Sequence, residues 1–186
     1  YLLLLLNFNI KNFKYIYKML KTITVISDTH CYNWKDIHPE IKSKIRETDY
    51  AVHCGDYVHK NILDEFILNS NNPIVVHGNS DPIEIRNQIP YTQILKINSL
   101  NIGIIHPAWG KEEFDYKELF KDFPTKKLDA IFFGHIHEPV NEVIDNTLFV
   151  NPGQGYASFL VPATIAIITV DNQNIHCEIK EISPAL

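Results

Sequence analysis

Cysteine is scarce in this chain and long hydrophobic runs are missing, and each absence excludes a class of protein. The 186 residues include only three cysteines, Cys31, Cys54 and Cys177, with no CxxC pair among them. Scattered cysteines in odd number do not make a disulfide framework, so we expect reduced thiols in a cytoplasmic protein. No apolar run approaches the roughly 20 residues of a transmembrane helix, and we expect no membrane partner.

Positive charge is also in short supply. The chain has 17 lysine and arginine residues against 22 aspartate and glutamate residues, a net charge of −5. Residues 1–18 contain no acid and carry three of the lysines, so without them the balance is 14 − 22 = −8. An acidic surface repels the phosphate backbone, and we therefore expect no stable binding of nucleic acid.

Residues 1–18 differ from the rest of the chain. They contain no acid, glycine or proline, and they precede Met19, the only methionine. The leucines at 2–6 resemble the start of a signal peptide, but no basic segment precedes them and no small-residue cleavage site follows. We therefore interpret residues 1–18 as a non-native upstream extension and expect residues 19–186 to form a single domain.

The first half of the remaining chain alternates strands with helices. Short apolar, β-branched runs predict strands at 22–27, 50–54 and 74–77. Apolar residues at helical spacing predict helices within 35–48 and 62–68. This β-α-β-α-β order is typical of a parallel sheet with crossover helices.

After Pro90 the pattern changes to paired strands. Short polar links at 98–100, 145–146 and 171–174 join neighbouring apolar segments, as hairpin turns do, and one helix is predicted over 114–123. The sequence shows no internal repeat and no low-complexity linker. We therefore expect an α/β fold in which two mixed sheets pack face to face with helices outside.

Five short polar clusters each follow an apolar run. They supply three carboxylates, one amide and four imidazoles, from Asp28, His30, Asp56, Asn79, Asp81, His106, His135 and His137. Parallel sheets place their sites at the carboxyl ends of strands. In extended chain, side chains two residues apart point the same way, so the 28/30 and 135/137 pairs should each aim into one site.

Imidazole and carboxylate together suit Mn, Fe, Zn, Ni or Co better than Ca or Mg. Asp56 stands without another ligand type in its cluster and is the best candidate to bridge two ions. Gly55, Gly78 and Gly134 precede ligand candidates and would permit close approach of the backbone. The inventory therefore predicts two divalent ions side by side.

The series Asp28-x-His30, Gly55-Asp56, Gly78-Asn79-x-Asp81, His106 and Gly134-His135-x-His137 resembles the calcineurin-like metallophosphoesterases. The small size, Ser80 after Asn79, and Asn151-Pro152-Gly153 are similar to the short single-domain phosphodiesterase branch of archaea and bacteria. The resemblance covers about residues 21–182. It implies a four-layer α/β/β/α sandwich of two mixed sheets flanked by helices.

The resemblance also implies a ligand set and a reaction. Catalytic contributions would come from Asn79, His106 and Asp81, the last acting from outside the metal ligands. A hydroxide bridging two ions, Mn first among them, would attack a small phosphodiester or nucleotide-like substrate; assembly into a homo-oligomer is left open. One ion would take Asp28, His30, Asp56 and His137, and the other Asp56, Asn79, His106 and His135.

Three departures from the family pattern concern the substrate. Ser80 stands where many members have His and the short branch has Cys; Pro107 replaces the usual Gly; Gln154 replaces a small polar residue that we place at the substrate rim. Because Ser80 is a weak acid, we expect diesters to be preferred. The alternatives are a phosphomonoesterase or nucleotidase, and a protein-binding scaffold like the retromer subunit of this fold, whose metal site is degraded.

Overall fold

The computed structural model describes residues 20–108, 115–125, 127–158, 160–172 and 174–184. The extension predicted for residues 1–18 and the start at Met19 lie outside these residues. Within the described chain, ten strands form two five-stranded mixed sheets.

The first sheet combines the beginning and the end of the chain. Its strands lie in the order β10-β9-β1-β2-β3. The three N-terminal strands run parallel, and the C-terminal hairpin adds to them antiparallel through β9. The strands are β1 (Leu20–Ile26), β2 (Tyr50–His53), β3 (Pro73–Val75), β9 (Ala163–Asp171) and β10 (Asn174–Ser183).

The second sheet comes from the middle of the chain, in the order β4-β5-β6-β8-β7. Its three central strands β5, β6 and β8 are parallel, and an antiparallel strand closes each edge. The strands are β4 (Thr92–Ile97), β5 (Leu100–Ile105), β6 (Ala130–Phe133), β7 (Pro139–Ile144) and β8 (Thr147–Pro152).

The helices differ in detail from those predicted. The helix expected over 35–48 is split into a 3-10 turn at Trp34–Asp36 and α1 at Pro39–Glu47, because a proline at the first helical position begins a helix. Helix α2 spans Lys60–Asn69. The short α3 at Ile83–Gln88 was not predicted, and the described part of 114–123 is a 3-10 helix at Tyr116–Asp122.

The core lies between the two sheets and follows the two-residue alternation of strands. Ala130 and Phe132 of β6 point into the space between the sheets, whereas Ile131 and Phe133 point outward. The outer face of the first sheet is covered by α1 and α2, and that of the second by Leu119 of the 3-10 helix. The predicted four-layer arrangement of two mixed sheets flanked by helices is confirmed.

The fold brings five parallel strand ends to one region. Strands β1, β2 and β3 precede the clusters at 28, 56 and 79, and β5 and β6 precede those at 106 and 135. All three cysteines are free thiols. Among the described helices, none combines the length and the apolar character required to span a bilayer.

Candidate dinuclear metal site

Hydrogen bonds between loops hold the ends of the two sheets together. The Nδ1 atom of His106, after β5, donates to the carbonyl oxygen of Cys54, after β2, at 2.7 Å. The backbone N–H of His135 donates to Asp28 Oδ2 at 3.1 Å. A side chain on Gly134 would overlap the Ser27 hydroxyl, so this close approach requires glycine, as predicted.

The ligand candidates have unusual backbone geometry. Five of them lie at positive φ: Asp28 (50°), His30 (43°), Asp56 (60°), His135 (85°) and His137 (63°). Such angles are uncommon outside glycine and cost of order 1–3 kcal/mol each when the surroundings impose them. The prediction that the 28/30 and 135/137 pairs are extended is therefore wrong. Alternate left-handed residues, rather than a strand, turn each pair toward the site.

The first cluster surrounds Asp28. Its Oδ1 atom lies 3.3 Å from His137 Nε2 and 3.8 Å from His30 Nε2. The three residues can offer one ligand atom each within 4.8 Å of one another. Both Asp28 Oδ1 and His30 Nε2 are buried without a hydrogen-bond partner among the described residues. A divalent cation would satisfy both atoms, because each has a lone pair to give.

The second cluster surrounds the amide oxygen of Asn79. This Oδ1 atom lies 3.0 Å from His106 Nε2 and 2.8 Å from His135 Nδ1. A carbonyl only accepts, so the bond to Cys54 places the His106 proton on Nδ1 and leaves a lone pair on Nε2 in the neutral ring. Two lone-pair atoms then face each other at 3.0 Å, an arrangement that a cation between them stabilises.

Asp56 connects the two clusters. Its Oδ1 atom accepts the backbone N–H of Ser80 at 2.8 Å. Its Oδ2 atom lies 3.7 Å from His30 Nε2 in the first cluster and 3.4 Å from His106 Nε2 in the second. A single carboxylate oxygen thus faces both groups, the geometry expected of a bridging ligand.

The electrostatics of the first cluster favour a cation. Burial alone would raise the pKa of Asp28, but its interactions with His137 and His30 outweigh that and hold the pKa well below its usual range. The same contact with Asp28 raises the pKa of His137. Burial lowers the pKa of His135. Asp28 is therefore ionised, and its negative charge favours a cation in the first cluster.

Asp81 lies behind Asp56 and is almost fully buried, with 1% of its surface exposed. Its Oδ2 atom accepts the backbone N–H groups of Asp56 and Gly78, at 3.0 and 2.7 Å, and its Oδ1 atom accepts that of Val58 at 2.8 Å. All three bonds go to backbone amides. The carboxylate therefore fixes the shape of two loops and does not reach substrate.

Around the ligand candidates, one predicted position is wrong and one contributing residue was not predicted. Gln154 is buried against His137, so its predicted place at the substrate rim is wrong. Sequence analysis missed Arg86, which donates through Nη2 to Asn79 O and through Nε to Asp81 O at 2.7 Å. Nothing in the local sequence signals this role, because it depends on where α3 begins. Ser80 is exposed beside Asn79.

His53 lies under the site and does not take part in it. The ring is fully buried, accepts the Gly55 N–H at 3.2 Å, and lies 3.2 Å from Thr29 Oγ1. It stacks on Tyr57 at 3.8 Å between ring centroids. Burial lowers the pKa of His53 to about 3, so the ring is neutral and belongs to the core.

Comparison with known families agrees with this geometry. The model of the calcineurin-like phosphoesterase superfamily domain matches residues 22–173, and the chain therefore belongs to that superfamily. A probable metallophosphoesterase of Methanocaldococcus jannaschii is 31% identical over 132 residues, 70% of this chain and 66% of that protein. A phosphodiesterase of the same archaeon is 28% identical over 169 residues, 81% of this chain and 94% of that one.

Solved structures share the fold. A Thermotoga maritima protein determined by solution NMR has a TM-score of 0.69 and 30% identity, covering 87% of this chain and 99% of its own. Vacuolar Protein Sorting 29 from Cryptosporidium parvum also has a TM-score of 0.69, at 17% identity and over 89% and 99% of the two chains. At that identity the likeness shows the fold alone.

Proposed function

We propose that this protein is a metal-dependent phosphodiesterase that holds two divalent ions between the ends of its sheets. One observation supports this above all: the Oδ2 atom of Asp56 faces a histidine nitrogen of each cluster. In the first cluster Asp28 Oδ1 and His30 Nε2 are buried without a hydrogen-bond partner among the described residues. The donor set of carboxylate, amide and imidazole suits Mn, Fe, Zn, Ni or Co, and Mn is the first ion to test.

The residues divide into two sets around Asp56. When bound, two such ions would lower the pKa of a shared water and polarise phosphoryl oxygens. The chain itself would orient the substrate: the Asn79 side chain is exposed, and its NH₂ group could donate to a phosphoryl oxygen while Oδ1, beside His106, would serve as a metal ligand. The ligands would be Asp28, His30, Asp56 and His137 for one ion, and Asp56, Asn79, His106 and His135 for the other.

The diester preference depends on the surroundings of Ser80. Its hydroxyl is exposed beside Asn79, at 3.4 Å from Nδ2, and it is too weak an acid to protonate a poor leaving group. The neighbouring imidazoles have other contacts, since His77 lies against Tyr91 and His59 against Tyr32. The phosphodiesterase name of the 28%-identical relative supports the same preference.

Metal content and a two-substrate assay test the proposal. Protein reconstituted with Mn should contain about two ions per chain and hydrolyse bis-para-nitrophenyl phosphate faster than para-nitrophenyl phosphate. Asp56→Asn should lose both ions and the activity. Asp64→Asn, a surface change on α2, should keep both. Full activity after exhaustive chelation, or in the Asp56 variant, would overturn the proposal.

The same assay separates the alternatives. Faster turnover of the monoester would favour a phosphomonoesterase or nucleotidase and would require another proton donor. Wild-type protein that binds no metal would favour the scaffold, because the metal site of that alternative is degraded. The small phosphodiester substrate, the cytoplasmic location and the absence of nucleic-acid binding remain predictions from the sequence.

A further inference from the structure

Gln154 is a buried polar side chain in the loop after β8, and its contacts point to a role toward one metal ligand. Only 1% of its surface is exposed. Its Oε1 atom lies 3.0 Å from Nδ1 of His137. We propose that Gln154 is a positioning residue that selects Nε2 of His137 as a metal ligand and thereby sets the affinity of that ion. The inference rests on the proposed two-metal function.

The orientation of the Gln154 amide is fixed by its other contacts. Its Nε2 atom lies 2.8 Å from the carbonyl oxygen of Tyr156, 3.3 Å from that of Val161 and 3.1 Å from the Ser158 hydroxyl. Carbonyl oxygens only accept, so the atom facing them must be the NH₂ group. The amide oxygen therefore faces His137 and cannot exchange places with the nitrogen.

The fixed amide determines the tautomer of His137. An amide oxygen accepts and never donates, so Nδ1 of His137 must carry a proton. The lone pair of the neutral ring is then on Nε2, which lies 3.3 Å from Asp28 Oδ1 in the first cluster. If the His137 ring were reversed, the buried amide oxygen of Gln154 would face an atom without a proton. An unsatisfied buried acceptor of this kind costs about 1–3 kcal/mol.

The contact with His137 also depends on the length of the glutamine side chain. A serine hydroxyl ends two bonds earlier than the glutamine oxygen, so a small residue at this position could not make the same contact without moving the loop. That loop is tied to the site, because the Gly155 N–H donates to the carbonyl oxygens of Ser27 and Asp28, at 2.9 and 3.3 Å. His137, by contrast, lies in a turn at positive φ, with φ of 63°.

The histidines of the two clusters are held by different hydrogen-bond partners, so a change at Gln154 should affect only one ion. In the second cluster, His106 is oriented by a backbone carbonyl, that of Cys54, which no substitution of Gln154 removes. Outer partners of ligating histidines typically change metal affinity 10–100-fold. Loss of the Gln154 oxygen should therefore weaken one ion of the pair and leave the other unchanged.

The test is a metal titration of the metal-free full chain. Gln154→Met keeps the length and burial but removes the acceptor, and we expect one of two Mn²⁺ binding events, followed by calorimetry, to weaken about 10–100-fold. Gln154→Glu keeps an oxygen toward His137, and its second oxygen, which faces the Tyr156 and Val161 carbonyls, must carry a proton to replace the NH₂ group. In that protonated form the variant should bind both ions within about threefold of wild type. Gln88→Met, the same change at an exposed glutamine of α3, should change nothing.

Cobalt substitution gives a second measurement, and the results of both tests can contradict the inference. Cobalt absorption in the visible range reports ligand geometry directly and should change in Gln154→Met but not in Gln154→Glu. If Gln154→Met binds both ions like wild type, or if Met and Glu weaken binding equally, the hydrogen bond to His137 does not set affinity and the inference is wrong. If wild type itself binds fewer than two ions, the proposed function fails instead.

Discussion

Replacing Asp81 by asparagine tests whether a residue that touches only backbone controls both metal positions. The carboxylate accepts three backbone N–H groups, buried ones from Asp56 and Gly78 and a partly buried one from Val58. An asparagine has one acceptor oxygen. In its best orientation that oxygen keeps Asp56 and Gly78, and the NH₂ group then faces the N–H of Val58, so that two donors meet.

The cost follows from this geometry. One charge-assisted hydrogen bond is lost, worth about 1.5–3 kcal/mol, and a buried donor is left without a partner. We expect the free energy of unfolding of the metal-free protein to fall by about 2–4 kcal/mol. Because the affected loops carry Asp56 and Asn79, both ions should bind more weakly, in contrast to the single-ion effect expected at Gln154.

Urea unfolding of metal-free protein measures the first effect and metal titration the second. With an m-value of about 2 kcal/mol/M, the midpoint of Asp81→Asn should fall by about 1–2 M. Asp64→Asn serves as the surface control. A midpoint within about 0.2 M of wild type, together with unchanged binding of both ions, would show that Asp81 does not organise the site.

Three further changes give separate tests. His53 is fully buried with its pKa lowered from 6.5 to about 3. The stability that comes from the neutral His53 ring is therefore complete above pH 6.5 and is lost as pH falls toward 3. The free energy of unfolding should fall by about 2 kcal/mol between pH 7 and 5 for this reason. Urea unfolding should show a smaller fall in His53→Gln and an unchanged fall in the exposed control His176→Gln. Gly134→Ala should lower the free energy of unfolding by about 1–3 kcal/mol and reduce the metal content, since the new methyl group would meet Ser27; unchanged thermal unfolding would contradict this. Ser80→His should raise para-nitrophenyl phosphate turnover more than diester turnover, and an equal effect on both esters would argue against a missing acid.

Strand positions and the candidate ligand residues could be predicted because both are local properties of the sequence. Runs such as 130–133 are apolar and β-branched or aromatic, and the polar residues that follow are of the types that bind metals. The placement of five clusters at the carboxyl ends of parallel strands required only the rule for parallel sheets.

Backbone geometry and long-range partners could not be predicted in the same way. The positive φ of His30 and of His137 runs against the intrinsic preference of the residue, and no local sequence pattern signals it. Helix α3 is only six residues long, too short for a periodic signal. The partner of Gln154 depends on which carbonyls its NH₂ group meets, and these come from a loop whose path no local pattern specifies.

The distribution of strain shows how the site is held. Five ligand candidates have left-handed backbone angles, which are a source of strain at the site. It is maintained by bonds between loops, such as those from Asp81 to the Asp56 loop and from His135 N–H to Asp28. These bonds rest on strands whose side chains form the core between the sheets. Packing of the sheets therefore contributes to the positions of the ligand candidates through the loops that carry them.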